Sequence, residues 1–230
     1  MKIWHKNKEQ EQNIKENSFI GGVPKLPKEF EIPLTKETQT QMTFFFQYEF
    51  PIGHIYEGFI LSMFASTDFS NDDFTIPEML EDELKGINVP EGFLDKYQRY
   101  FKMFLYENKE YELREDYNQK LVYKKLITSN EIEENSVFFA EAHKKPNWIL
   151  EDESPSTYNK TEPFYFLFQI KEGYRFIKRD DAPLQQEMGG EDGLTLCDSF
   201  SERYDLFNNN EIYFFGTNNT HKKIYIITQC

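Results

Sequence analysis

The chain has 230 residues, which allows one large domain or two small ones. Aromatic residues make up 17% of it, enough for a packed core, so global disorder is excluded despite a mean hydropathy of −0.71. The 40 acidic and 26 basic residues give a net charge of −14. Such a charge disfavours binding to nucleic acid or to anionic lipid and favours a basic partner.

The N-terminal segment 1–18 is polar and predicts a short helix or a frayed arm. Its charged start is not followed by an apolar stretch, so we expect no secretory signal and no membrane-spanning helix. Only Cys197 and Cys230 are present, and two thiols cannot form a disulfide framework. We therefore expect a cytoplasmic protein with reduced cysteines.

Two strands are predicted in the first half of the chain. Residues 43–49 alternate, which predicts a strand with one buried aromatic face, and a second strand follows at 58–65. The aromatic face of the first strand would carry Phe44, Phe46, Tyr48 and Phe50. The preceding segment 19–33 contains two glycines and several prolines, which predicts extended, turning chain.

Helices are predicted next in the chain. A capping-box spacing and a following glycine predict a helix over 75–85, and a continuous apolar stripe predicts a longer one over 91–107. Residues 108–136 are dense in charge and are expected to form a solvated hairpin or connector. Residues 137–142 are compatible with either a strand or a short helix.

The second half of the chain resembles the first. Residues 164–170 form an aromatic stretch with Gln169 near its end, as residues 43–49 do with Gln47, and 211–216 resembles 58–65. A last strand is predicted at 224–228. This echo suggests a tandem duplication of one β-rich unit.

The predicted fold class is α+β, mostly antiparallel, with an internal tandem duplication and a few flanking helices. The predicted organisation is a polar arm at 1–18 and a single domain at 19–230. That domain would hold two repeats, at about 19–107 and 137–230, separated by the charged connector 108–136.

The stretch Phe19-Ile20-Gly21-Gly22-Val23-Pro24-Lys25-Leu26-Pro27, followed by Phe44-Phe45-Phe46-Gln47, resembles the opening of the YwqG-like family of bacterial domains. A second strand ending in Gln, here 166–170, is also typical of that family. Where the family has a second Gly-Gly-x-Pro, this chain has Ala142-His143-Lys144-Lys145-Pro146. The resemblance implies an α+β fold with an internal repeat and no established activity. Family members are often thought to act as immunity proteins beside secreted toxins.

Motifs for chemistry are sparse. The four histidines are not within metal-ligand spacing of one another or of a cysteine, and no nucleophile motif, phosphate loop or calcium loop occurs. We therefore assign no catalytic residue, no metal and no cofactor.

Two functions remain open. The first is an immunity or antitoxin-like module that occludes a basic effector such as a toxin. The acidic residues suggested for this contact include Glu81, Asp82, Glu83, Glu151, Asp152 and Glu153. The alternative is that the acidity of the chain serves only its solubility. The second is an enzyme or small-ligand binder that uses a groove between the two repeats. Its polar groups would be Gln47, His54, His143 and Gln169, although the two glutamines would equally suit strand ends or the Gly-Pro loop.

Overall fold

The computed structural model describes residues 1–8, 11–36, 38–68, 77, 80, 85–97, 99–109, 111–189, 195–198, 202–220 and 222–230. In chain order, the strands are β1 Lys2–Lys6, β2 Phe19–Ile20, β3 Lys25–Leu26, β4 Thr43–Glu49, β5 Phe59–Ala65, β6 Asn88–Val89, β7 Phe101–Glu107, β8 Glu112–Leu113, β9 Lys124–Lys125, β10 Ile127–Ser129, β11 Ser136–Glu141, β12 Thr157–Tyr158, β13 Glu162–Ile170, β14 Arg175–Ile177, β15 Gln186–Gly189, β16 Thr195–Asp198, β17 Arg203–Asp205, β18 Glu211–Thr217 and β19 Ile224–Gln229.

The fold is nearly all β, so the predicted α+β class with flanking helices is wrong. Strands account for 41% of the described residues and helices for 3%. Within the described ranges, helix is confined to α1, Phe93–Lys96, and one 3-10 turn, Phe207–Asn209. Among the described strands, each pairing is antiparallel except that of β12 with β6.

The long helix predicted over 91–107 is the largest error. Among the described residues of this range only α1 is helical, and 101–107 form β7, which pairs along its whole length with β5. Phe101 and Met103 face one hydrophobic cluster, whereas Phe104 and Tyr106 face another. Apolar residues that alternate between two buried faces have a combined spacing that resembles the apolar stripe of a helix. The segment forms a strand instead, because its aromatic residues favour strand structure and it pairs with a distant strand.

The N-terminal segment, predicted as a short helix or frayed arm, instead begins with β1. This strand lies between β10 and β11 and pairs with both. Ile3 and Trp4 are buried in it. The apolar pair within a polar segment is what anchors the strand to the sheet.

Two sheets share one strand order. The first runs β7-β5-β4-β2-β9, and the second contains the series β19-β18-β13-β11-β1, with β10 beyond β1. β4 and β13, which carry Gln47 and Gln169 near their ends, each occupy the third place. The internal duplication stays a prediction, and this shared order agrees with it.

A bulge interrupts both of these central strands two residues before the glutamine. Phe44 pairs with Phe64 but Phe46 with Met63, so Phe45 is the extra residue. Leu167 takes the same place in β13. The bulge shifts the alternation by one residue. β4 is buried on both faces, rather than on one as predicted, because a hydrophobic cluster covers each side of its sheet.

The main core lies between the two sheets. Phe46 contacts the rings of Phe139, Phe168 and Phe214 across the interface, and Phe168 stacks on Phe214 with ring centroids 4.3 Å apart. A second cluster, which includes Phe19, Phe44 and Phe64, covers the other face of the first sheet. The first sheet is thus the middle layer of the molecule.

Residues 108–136 join the two sheets and also enter the core. They supply β8, β9 and β10, and Tyr117, Leu121 and Tyr123 are buried. The predicted helix over 75–85 lies largely outside the described residues, as do Glu81, Asp82 and Glu83. Among the described helices, none is long and apolar enough to cross a membrane.

Candidate functional site

Gln47 is fully buried, and its amide joins two loops to β4. Its Oε1 accepts hydrogen bonds from the backbone N–H of Lys25 at 3.2 Å and from the Ser62 hydroxyl at 3.4 Å. Its Nε2 donates to the carbonyl of Asn17 at 3.1 Å. Donor and acceptor sites are therefore both used inside the fold.

Gln169 makes the equivalent contacts in the second sheet. Its Oε1 accepts from the backbone N–H of Asn147 at 2.8 Å, and its Nε2 lies 3.3 Å from the carbonyl of the same residue. The same Nε2 also donates to the Glu211 carboxylate. Both glutamines thus hold a loop that contains a proline next to their strand.

The Gly-Gly motif has a steric explanation. Gly21 and Gly22 have φ of 56° and 72°, in the left-handed region. A Cβ on Gly21 would lie 2.5 Å from the Val122 carbonyl oxygen, and one on Gly22 would lie 2.6 Å from Oε1 of Gln12. The side-chain amide of Gln12 donates to the Val23 carbonyl at 2.7 Å, and its Oε1 accepts from the backbone N–H of Val23 at 2.8 Å. These glycines let the loop approach its neighbours closely.

His54 lies in the turn between β4 and β5, and it reaches the second sheet. Its ring stacks on Phe50 with a centroid distance of 4.7 Å, and Nε2 lies 3.4 Å from the Leu167 carbonyl oxygen. Its Nδ1 accepts from the backbone N–H of Tyr56 at 3.0 Å. Burial lowers the pKa of His54, against the opposing effect of the Leu167 carbonyl.

His143 belongs to a charged network at the end of β13. Its Nε2 lies 2.8 Å from one oxygen of Glu141, and Lys171 Nζ lies 3.2 Å from the other and 3.0 Å from Glu211. Burial alone would raise the pKa of Glu141, but His143 and Lys171 outweigh it and lower that pKa. Through Glu211 the network reaches Gln169.

The acidic residues suggested for partner binding differ in exposure. Glu151 is exposed. Asp152 pairs with Lys85 at 2.9 Å and accepts from the Ser154 N–H, and these contacts lower its pKa to about 2. Glu153 is buried, and burial raises the pKa of its carboxyl.

A groove of about 480 Å³ opens between the two sheets. One wall carries Ile20 of β2 and Lys124 of β9, which are directly opposite each other in the ladder. The facing wall carries His5 of β1 and Val137 of β11, which are also a register pair. Register pairs share one face of a sheet, so each wall presents its side chains to the groove as a unit.

The hairpin of β14 and β17 forms a third wall. Phe176 points into the core, whereas Arg175 and Ile177 lie on the opposite face of β14 with Arg203 of β17. All three of these residues line the groove. Arg175 Nε lies 3.6 Å from Oδ1 of Asp205.

His5 and Tyr174 are the titratable pair inside the groove. Nε2 of His5 lies 2.8 Å from the Tyr174 hydroxyl, and Nδ1 lies 3.0 Å from the Lys6 carbonyl oxygen. Burial lowers the pKa of His5, and Lys124 lowers it further, against the Lys6 carbonyl. Burial also raises the pKa of Tyr174. Neutral His5 therefore donates from Nδ1 and accepts the Tyr174 proton at Nε2.

The groove lies between the sheets, but its lining does not include the four polar residues that the sequence suggested. Gln47, His54, His143 and Gln169 lie elsewhere. Sequence reasoning missed His5 and Lys124, because it placed them in an arm and in a connector. The apolar Ile3-Trp4 pair beside His5 was the available signal.

Comparison of the chain with family models, curated proteins and solved structures finds no match. The groove and the surface of the molecule are therefore the features that bear on its function. Within the parts of the chain that the structure describes, no group of three His, Cys, Asp or Glu side chains could hold a metal ion.

Proposed function

We propose that this chain is a binding module that holds a small ligand in the groove between its two sheets. The observation that carries the proposal is the convergence of three separately supported walls, β2–β9, β1–β11 and β14–β17, on one concavity. Its volume of about 480 Å³ is in the range of small-molecule sites.

The chemistry of the lining supports binding rather than turnover. His5 and Tyr174 hydrogen-bond each other. Burial lowers the pKa of His5 and raises that of Tyr174, and both shifts favour the neutral side chain. A general acid or base works best with a pKa near the ambient pH. A neutral hydrogen-bonded pair is better suited to orienting a ligand.

A small-molecule screen by thermal unfolding tests the proposal. Val137→Trp would fill the groove from β11, and Ile52→Trp, at a side chain that is 91% exposed in a distant turn, is the matched control. We expect ligands that raise the Tm of the parent and of I52W but not of V137W. A screen in which no compound distinguishes V137W from I52W would contradict the proposal.

A second candidate is an immunity-like module that occludes a basic protein, as the resemblance to the YwqG-like family implies. A specific surface favours it: Leu150 is 60% exposed, Ile149 is also exposed, and both lie next to the exposed Glu151. The net charge of −14 would speed association with a basic partner. This candidate includes the expectation of a cytoplasmic location.

A pull-down at low salt from the source lysate tests this candidate. Leu150→Ser should lose a stoichiometric basic partner that the parent and Ile52→Ser both retain. Retention of that partner by L150S, or the absence of any partner, would count against occlusion through this surface.

A further inference from the structure

Two buried lysines of this fold show what an enclosed ammonium group requires. Lys25 donates to the Glu16 carbonyl at 2.8 Å and to Oδ1 of Asn17 at 2.9 Å. Lys178 donates to two backbone carbonyl oxygens, each at 2.8 Å. Taking a cation out of water costs free energy unless acceptors replace the water. For both lysines the protein itself supplies those acceptors.

Lys124 has no such acceptor. Its side chain is 5% exposed, yet no described residue forms a hydrogen bond or an ion pair with its ammonium. Among the described residues, the polar side-chain atoms enclosed without a partner do not include its Nζ, so the ammonium stays open to the groove that Lys124 lines. The next residue, Lys125, lies on the other face of β9 and pairs with Glu16 at 2.7 Å. The missing acceptor is therefore specific to the groove side of the strand.

The register of β9 with β2 determines where this ammonium lies. Lys124 stands opposite Ile20, and both residues line the groove. His5, on the facing wall, is close enough for the charge of Lys124 to lower its pKa. Both ring nitrogens of His5 are already engaged, with Lys6 and Tyr174, so the imidazole does not serve as an acceptor for Lys124. The charge of Lys124 thus acts across the groove without being neutralised there.

The other cations of the lining are engaged within the protein. Lys171 lies between two carboxylates, at 3.2 and 3.0 Å. Arg175 pairs with Asp205 at 3.6 Å, and Arg203 also makes an interaction within the fold. Among the described lining residues, Lys124 is therefore the cation whose charge is left for a ligand.

This charge balance favours a ligand with a single negative charge. The acidic residue of the lining, Glu172, has an exposed side chain, and the whole chain carries a net charge of −14. A phosphate monoester carries about −1.5 to −2 near pH 7, so part of its charge would meet this acidic field without a partner. A carboxylate carries one negative charge and matches one ammonium.

The aliphatic part of the lining suits a hydrocarbon group. Ile20 of β2, Val137 of β11 and Ile177 of β14 line the groove, one from each of its three walls, and Val122 lies beside them in the lining. Apolar surface that leaves water against such side chains contributes favourable free energy without needing polar partners. The groove therefore combines one unpaired cation with apolar contact surface.

We propose that the groove binds a small organic monocarboxylate. Its carboxylate accepts charge-assisted hydrogen bonds from the Lys124 ammonium, and its hydrocarbon part lies against the aliphatic side chains of the three walls. The binding is noncovalent, and Lys124 serves as the group that recognises the charge. This inference rests on the proposed function of the groove and names the class of its ligand.

Calorimetric titration of the full chain with two acid and amide pairs tests the inference. Phenylacetate is compared with phenylacetamide, and hexanoate with hexanamide, because each amide keeps the size and the hydrocarbon part of its acid and removes the charge. Phenyl phosphate is the dianionic comparison. We expect at least one acid to bind about tenfold or more tightly than its amide, as a charge-assisted hydrogen bond would require, and more tightly than phenyl phosphate.

Two variants locate the contact. Lys124→Met removes the ammonium and keeps the aliphatic stem, and Lys125→Met makes the same change of net charge on the other face of β9. We expect K124M to weaken binding of the acid about tenfold and to leave the amide unaffected, so that acid and amide bind alike. K125M should change the affinity for the acid less than about twofold. Urea unfolding checks that K124M is folded, and the comparison of acid with amide in the parent does not depend on any variant.

Several outcomes would overturn the inference, and they separate it from the proposed function. Equal affinity for acids and amides, or unchanged affinity for the acid in K124M, would show that Lys124 does not recognise a carboxylate. Binding of phenyl phosphate as tight as that of the acids would contradict the single charge. If the thermal screen yields a groove ligand that V137W excludes while neither acid binds, the proposed function stands and this inference fails. If nothing in the screen binds either, both fail.

Discussion

Gln47 accepts a hydrogen bond from the backbone N–H of Lys25, a residue 22 positions before it in the chain. Gln169 accepts the same bond from Asn147, again 22 positions earlier. Both donors directly follow a proline, Pro24 in one case and Pro146 in the other. The second half of the chain therefore keeps the loop-to-strand bond although it lacks the second Gly-Gly.

Replacing Gln47 should be costly. Gln47→Leu would leave the Lys25 N–H and the Asn17 carbonyl buried without a partner, at about 1–3 kcal/mol for each group. We expect a loss of about 2–4 kcal/mol in the free energy of urea unfolding. Gln119→Leu removes one hydrogen bond at a half-exposed position and should cost less than about 1 kcal/mol. Equal losses in the two variants would contradict this role of Gln47.

Gly21 offers a second test with an internal control. Gly21→Ala and Gly53→Ala both place a side chain at positive φ, 56° and 82°. A Cβ at position 53 meets no atom within 4 Å, so G53A should cost about 1–2 kcal/mol for its backbone conformation alone. G21A adds a clash with the Val122 carbonyl and should lose about 3 kcal/mol or more. Chemical denaturation measures the difference, and similar costs would show that the loop relaxes freely.

Stability should fall in mild acid. Burial lowers the pKa of both His5 and His54 below the ordinary 6.5, so the unfolded chain binds more protons once the pH drops through that value. Their contribution is complete above about pH 6.5 and declines below it. Urea unfolding at pH 7.5, 6.5 and 5.5 measures the slope. The His5→Asn and His54→Asn double variant should be less sensitive over this range; an unchanged slope would assign the effect to other groups.

Asp152 should act at lower pH; its pKa is lowered like those of His5 and His54, but because hydrogen bonds stabilise its charged form rather than because burial destabilises it. Its hydrogen bonds from Lys85 and Ser154 lower the pKa to about 2, so its stabilising effect is present above about pH 4 and lost as the pH falls toward 2. Asp152→Asn should reduce stability at pH 6 by only a few tenths of a kcal/mol, because the pair is exposed to solvent. The two proteins should converge at pH 2. A gap that persists there would mean that the charge of Asp152 is not the cause.

The strands that alternate were predictable from the sequence, and the structure over 91–107 was not. Residues 43–49 and 211–216 formed strands because aromatic residues at a period of two suit a pleated surface. The stretch 91–107 failed because its residues are divided between two buried faces, which imitates a helical stripe. A single sequence does not reveal that a sheet is covered on both sides.

The residues of the candidate site were not predictable from the sequence. The sequence suggested a groove between two repeats, whereas the lining of the observed groove depends on β1 and β9, which belong to neither predicted repeat. His5 enters the groove because β1 pairs with β10 and β11, far along the chain. Pairing over such distances leaves no local pattern in the sequence.

The position of β1 also bears on how the protein is made. The amino group of Met1 bonds to the carbonyl of Ala142, 141 residues later, and both neighbours of β1 lie in the stretch just before that residue. At about 5–20 residues per second, the ribosome delivers those neighbours on the order of ten seconds after β1. Ile3 and Trp4 remain without their sheet during that interval. β1 is thus synthesised well before the two strands that it pairs with, and it can dock only once they have been made.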